Sequence, residues 1–439
     1  MNGLNRNSNG AGSWILENLV TIIFVAFTLF GFMVSSGVSM AFFFSELSSR
    51  VFRNSFLVLS LIIPVLAGLG LNFGIVIGAM SGQVAIALAR YFEMGGLSGL
   101  LFCFAVAMVV AAICGYFTGK LYNKTRGQEM IASLIVGFFA NGIYQFLFLF
   151  VVGMVIAVPA THPMIKPDGI GIRMTVDLVP VKQGGLKYAL DNIYQIPFVH
   201  ALLIVAIGLL VLLAVRYWLN IRKGREYLNN RSSLIVNGAL CLAIAGVAVH
   251  AMVTKSELMM VRKVPVVTGL LIIGLCVFTV LIMKTKLGQD FRSVGQSQHT
   301  AEVSGINVDR TRIIATVIST VLAAWGQIIY LQNMGTLNTY NAHTQIGMFS
   351  VAALLVGGAS TSKASITHAL FGTILFNAMF IMSPEIGQSL FGQAILGEYF
   401  RTFMVYGVIG VALGLHVWKA NKKSRGLILP MVKRSVREG

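Results

Sequence analysis

Polar side chains stranded in apolar runs are the residues of this chain that could do chemistry, and they are few. Asn72 and Gly74 lie where one apolar segment ends and the next begins, and Gln327 and Asn377 lie in later segments. Asn141 and Gln145 are four positions apart, so they share one face of a helix. Carboxamides in such surroundings either hydrogen-bond between helices or line a polar path, and a helix break frees backbone groups that can bind a polar solute. Enzyme signatures are missing. The 7 histidines are scattered, and neither HExxH nor GxSxG occurs. The stretch Gly357 to Lys363 starts like a phosphate loop but lacks its Gly-Lys-Ser/Thr ending. No catalytic residue, metal site or cofactor is expected. A membrane-embedded enzyme would have to use His250 or His368, the histidines inside apolar segments.

The elements that must position these residues follow from composition. Of 439 residues, 56% are hydrophobic and 11% charged, against about 25% charged in soluble domains. Long unalternated apolar runs exclude a barrel, and lipid excludes open sheets. The fold class is all-α: a polytopic membrane helix bundle of about 10–12 transmembrane segments with broken helices. The whole chain, 1–439, is expected to form one transmembrane domain. Its first apolar run, Leu19 to Phe44, is too long for a signal-peptide core and reads as a retained span, and the run 346–358 is too short for a full span. Two halves, 55–158 and 311–418, each hold a glycine-rich broken segment followed by long spans.

The net charge of +18 would suggest nucleic acid in a soluble protein. Here it has another source. With both termini in the cytoplasm, the larger share of the 33 Lys and Arg falls on cytoplasmic loops. No nucleic-acid partner is expected; membrane lipids are, because the basic connector from Arg216 to Ser233 suits anionic headgroups. The 4 cysteines, Cys103, Cys114, Cys241 and Cys276, sit in apolar runs without CxxC spacing, which speaks against disulfides or zinc. Acidic residues keep to segment ends in this reading, with Glu17, Glu93 and Glu129 as examples. Ion-coupled carriers usually hold an acid at mid-membrane, so this pattern favours an external energy source and a neutral solute.

One polar segment, 285–312, lies between apolar runs and mixes Lys286, Arg292, Arg310 and Arg312 with Asp290, Glu302 and Asp309. Gly288, Gly295 and Gly305 are expected to break it into short pieces. Ser297 and Thr300 give a loose capping signal for a short helix between the last two glycines. Such a helix lying across the span ends could carry a push from a soluble partner; an ordinary cytoplasmic loop is the alternative.

The runs T-x-x-G-x-x-F-R-x-V-G-Q-S from Thr285, A-E-x-x-G-I-N-V from Ala301 and R-I-I-A-T from Arg312 resemble the coupling loop of ABC-importer permeases, in the branch that moves simple sugars, nucleosides and branched-chain amino acids. The resemblance continues at Ala323 to Gly326, Gly357 to Ser360 and Gly372-Thr373. Weaker echoes occur at Leu71 to Gly74 and Gly127 to Ile131.

It implies two pseudo-repeated halves and a location in the bacterial inner membrane. It implies a second permease subunit, identical or different, ATP-binding subunits that carry out all ATP hydrolysis, and an extracytoplasmic substrate-binding protein. Gly288, Asp290, Arg292, Gly295, Glu302 and Gly305 would engage the ATPase. The outer loop 159–197 would receive the binding protein, and 198–264 stands out as an inserted helix pair. Two departures, Gly137 where many members carry Asn and Lys363-Ala364 in place of a glycine pair, bear on the cargo. The expected cargo is a nucleoside or a simple sugar such as ribose, moved past Asn72, Gly74, Asn141, Gln145, Gln327 and Asn377. A branched-chain amino acid permease, and an ion-coupled carrier or channel, are the alternatives.

Overall fold

Backbone N–H and C=O groups in lipid have no water to bond, so they must be satisfied inside helices. The computed structural model describes residues 19–34, 38–159, 162–167, 169–179, 185–222, 231–411 and 414. Its helices in chain order are α1 (Leu19–Val34), α2 (Met40–Ser60), α3 (Ile62–Leu66), α4 (Ile75–Tyr91), α5 (Gly96–Lys124), α6 (Glu129–Phe146), α7 (Phe198–Arg222) and α8 (Arg231–Thr254). There follow α9 (Val266–Ile282), α10 (Lys286–Gln296), α11 (Gln298–Val303), α12 (Val308–Met334), α13 (Ala342–Val356), α14 (Ile366–Phe391) and α15 (Ala394–Val411). Among the described residues, 8 helical stretches are long and apolar enough to cross a membrane, or up to 9 if α9 and α10, bent by 76°, count as one. Three shorter apolar helices, α1, α4 and α13, bring the apolar elements to the expected range. The chain is an all-α, multi-pass membrane helix bundle.

Helix α12 is the centre. Small residues let its backbone lie close to its neighbours, the usual means of packing spans without a hydrophobic driving force. A β-carbon on Gly82 of α4 would stand 2.6 Å from the Ala324 carbonyl oxygen, and one on Gly119 of α5 would stand 2.9 Å from Cα of Ile313. On α12 itself, Gly326 faces Leu57 of α2 in the same way, at 2.7 Å from Cγ. Ser319 donates to the Ser60 carbonyl (2.9 Å), and the Trp325 indole donates to the Phe104 carbonyl (3.1 Å).

The expected helix breaks are present at 67–74 and 357–365. Gly68 and Gly70 have φ of 74° and 70°, and Gly358 has φ of 93°, a region that favours glycine. Elsewhere the helices depart from the expected boundaries. The run Leu19 to Phe44 is divided: α1 ends at Val34 and α2 starts at Met40, where Ser39 accepts a hydrogen bond from the Phe42 amide (3.1 Å). Helix α2 then runs unbroken through Glu46, Arg50 and Arg53, and with α3 it forms the candidate span Met40–Leu66. Charge does therefore lie inside a span.

At the end of the bundle opposite 285–312, two small sheets tie the loop after α6 to the spans. β1 (Thr175–Asp177) pairs antiparallel with β4 (Thr336–Asn338), and β2 (Gln195–Ile196) pairs with β3 (Val264–Pro265). Buried Asp191 accepts from Thr268 (2.5 Å) and Asn333 (2.7 Å). Helices α7 and α8 pack on each other through Val199, Ala248 and Ala251 and expose most of their apolar surface. Thr161, Pro180, Gly184, the connector core 223–230, Arg6 and the basic cluster after Trp418 lie outside the described residues.

Packing through glycine sets a contrast that can be measured. Gly82→Val drives a side chain into backbone and should cost about 1–3 kcal/mol. Gly142→Ala, with nothing within 4 Å of its new carbon, should be neutral or stabilising by up to about 1 kcal/mol. Thermal unfolding in detergent checks both.

Candidate functional site

The polar segment 285–312 folds as three consecutive helical pieces, each opened by a side-chain cap. Thr285 accepts from the Gly288 amide (3.4 Å), Ser297 from the Thr300 amide (3.2 Å) and Asn307 from the Arg310 amide (2.9 Å), each satisfying a free helix N–H. Gly288 and Gly295 do not break the segment as expected; both lie within α10, and of the three only Gly305, at φ 79°, sits at a turn. Close approach explains them. A β-carbon on Gly288 would collide with the Ile282 carbonyl, and one on Gly295 with the Leu66 carbonyl. A β-carbon on Gly68 would in turn lie 2.8 Å from Cα of Gly295. Helix α10 thus lies backbone to backbone on the turn that ends α3, and that turn leads into the break bearing Asn72.

Ionic contacts hold the other side of the segment. Arg126, in the turn between α5 and α6, donates to Glu302 (2.8 Å) and to Asp309 (2.6 Å). Those hydrogen bonds, Asp309 first, raise its guanidinium pKa from the ordinary arginine value. Asn123 donates to the Asp309 carbonyl (3.0 Å). Deeper in, Arg312 is wholly buried and donates to Glu129 (2.5 Å) and to the Tyr122 carbonyl (3.2 Å). Tyr122 donates through its hydroxyl to Asn72 (2.8 Å), which also accepts from the Gly74 amide (2.9 Å). Two polar clusters therefore lie between α11 and the helix break, one of Arg126 with Glu302 and Asp309 and one of Arg312 with Glu129, Tyr122 and Asn72. Of the expected partner-facing residues, Arg292, Glu302 and Gly305 are exposed, Asp290 and Gly295 are half-buried and Gly288 is buried. Val303, between them, is 76% exposed, an apolar side chain standing on a polar surface.

The expected path residues do not share one site. Asn72 and Gly74 form the locked turn just described. Asn141 bonds His343 (2.6 Å), and Gln145 donates to the Tyr340 carbonyl (3.5 Å), so both lie against the start of α13. Gln327 is fully buried beside Gly82. Asn377 accepts from Asn54 (3.1 Å) and lines a cavity of about 280 Å³ between α2, α12, α13 and α14. Sequence reasoning missed Arg126, Glu129 and the burial of Arg312, which it placed on a loop. The available signal was a lone acid and a lone base at the edges of apolar runs. It also missed His343, whose ring lies tilted against that of Tyr144 (4.7 Å between ring centroids).

Removing one member of the buried pair strands the other charge. Arg312→Met or Glu129→Leu should each destabilise the protein by about 3–5 kcal/mol, with the double variant recovering much of the loss. Arg126→Ala, whose pairs are exposed, should cost no more than about 1 kcal/mol. Detergent unfolding midpoints across the series check the order.

Similarity to known proteins agrees with this arrangement. Residues 54–413 match the family model described as branched-chain amino acid transport system / permease component. The chain is 30% identical over 114 residues to the nucleoside ABC transporter permease protein NupB of Lactococcus lactis subsp. cremoris, which covers 26% of this chain and 30% of that protein. It is 30% identical over 145 residues to the xylose transport system permease protein XylH of Haemophilus influenzae, covering 33% and 36%. It is 30% identical over 152 residues to the autoinducer 2 import system permease protein LsrC of an Enterobacter species, covering 33% and 43%. The matches thus span less than half the length of these relatives. No solved structure matches significantly. Because the family model covers residues 54–413, most of the chain, the chain belongs to the family described as branched-chain amino acid transport system / permease component.

Proposed function

We propose that this chain is the permease subunit of an ATP-driven importer for a sugar- or nucleoside-type solute in a bacterial inner membrane, with both termini in the cytoplasm. Relatives named for nucleosides, xylose and autoinducer 2 support the solute class. The observation that carries the coupling role is the seating of α10 and α11. One face is fixed to the spans by Gly295 and Arg126, and the other presents Arg292, Glu302 and Val303 outward.

In this reading an ATP-binding subunit grips the outward face. Closure of the ATPase pair on ATP moves α10, and α10 bears directly on the turn at Leu66–Gly68. Movement there reaches the break at Asn72 through backbone contact, with no flexible side chain to absorb it. Hydrolysis belongs to the partner; this chain supplies the path. A second permease subunit completes the membrane part, and an extracytoplasmic binding protein docks on the loop 159–197. The pair α7–α8 faces lipid.

Val303 allows a test that leaves packing alone. Gly295→Arg would also break contact with Leu66, whereas Val303→Arg changes only an exposed side chain. An ATP-binding subunit is expected to co-purify with the wild-type chain. Val303→Arg should lower its recovery by at least about tenfold, or about 1.4 kcal/mol, at an unchanged unfolding midpoint. Wild-type chain that brings down no ATPase, or a variant that retains it fully, would count against the reading.

A further inference from the structure

The cavity lined by Asn377 is unusual for its charge. Three arginines face it: Arg50 and Arg53 from α2 and Arg401 from α15. Arg50 is paired with Glu46 (3.4 Å) and Arg401 with Glu398. Both guanidinium groups also lie over the Phe380 ring, at 5.4 and 3.7 Å from its centroid. Arg53 has no such partner. It stands over the Tyr330 ring at 5.2 Å and donates to the Met334 sulfur (2.8 Å), and its Nε is buried without a hydrogen bond. Among the described residues no carboxylate lies within ion-pairing distance of it. Two carboxylates against three guanidinium groups leave one positive charge at the middle of the span Met40–Leu66.

An uncompensated arginine inside a helix bundle is costly, and such residues mark ligand paths. The complement to a guanidinium group without a carboxylate partner is an oxyanion, which it binds through charge-assisted hydrogen bonds. The rest of the lining fits an organic body attached to that anion. Phe349, Phe376 and Phe380 offer apolar faces, while Asn54, Asn377 and Gln345 offer amides for hydroxyl groups. A volume of about 280 Å³ lies just below the usual range of ligand sites, roughly 300–1,000 Å³. We infer that this cavity binds a small organic oxyanion, a phosphorylated or carboxylated sugar-sized solute, with Arg53 as the residue that holds the negative group. The neutral solute expected from the sequence followed from a shortage of intramembrane acids, and that count says nothing about intramembrane bases.

The cavity's part in transport rests on the importer reading, but its ligand does not. Binding is therefore measured on the full chain without ATPase, so that failure here leaves the coupling test untouched. The chain is placed in phosphatidylcholine nanodiscs and titrated with ribose 5-phosphate, ribose and inorganic phosphate at constant ionic strength. Ribose 5-phosphate is expected to raise the unfolding midpoint, with ribose and inorganic phosphate at least tenfold weaker. Arg53→Gln should weaken ribose 5-phosphate binding at least tenfold. Should that variant not fold, Asn377→Leu on the facing wall should weaken it several-fold. Unchanged binding in either variant overturns the assignment, as does ribose or inorganic phosphate binding equally well. A parallel sample in phosphatidylglycerol nanodiscs tests the other source of phosphate. Arg53-dependent stabilisation there, with no response to ribose 5-phosphate, would give the site to a lipid headgroup and overturn the solute reading.

Discussion

Gly295 and the turn at Leu66–Gly68 meet with no side chain between them, and much of the bundle's logic follows from that contact. A helix lying across span ends transmits force only as well as it is seated. Two backbones in contact are stiff, because any added atom must displace main chain. The capping of α10, α11 and α12 by Thr285, Ser297 and Asn307 keeps the segment helical where lipid no longer enforces it. Arg126 then fixes the far side of the segment to the turn between α5 and α6, and Arg312 fixes the start of α12 to α6.

The same economy of small residues governs the interior. Helix α12 is held by Gly78, Gly82, Gly115 and Gly119 from its two neighbours and by its own Gly326. Within this close packing, three polar features stand out. One is the locked turn at Asn72. Another is the contact of Asn141 and Gln145 with the start of α13. The third is the arginine-lined cavity, where α2, α12, α13 and α14 stand far enough apart to enclose volume.

Much of the architecture was legible in the sequence because lipid imposes long apolar runs, and the polar segment 285–312 was legible because it interrupts them. The failures have physical causes too. Glycine carries two signals, a left-handed backbone and a close approach, and spacing does not separate them; Gly305 is the first kind, Gly288 and Gly295 the second. Hydropathy averages around a helix, so charges confined to one face look like an interruption. Glu46, Arg50 and Arg53 therefore read as a gap between segments, although α2 runs straight through them. Arg312 looked like a loop residue because its partner, Glu129, is far away in the chain. The shared face of Asn141 and Gln145, by contrast, followed from helical period, and both do lie beside α13.

The central claim is that residues 286–307 form the face gripped by an ATP-binding subunit and that the grip is felt at the Asn72 break. Hydrogen–deuterium exchange of the full chain, alone and bound to its ATP-binding subunit with and without a non-hydrolysable ATP analogue, measures it most directly. The account predicts protection over 296–307 on binding, and a further nucleotide-dependent change at residues 66–74. Exchange at 296–307 that does not respond to the subunit, or a nucleotide response that skips 66–74, would contradict it.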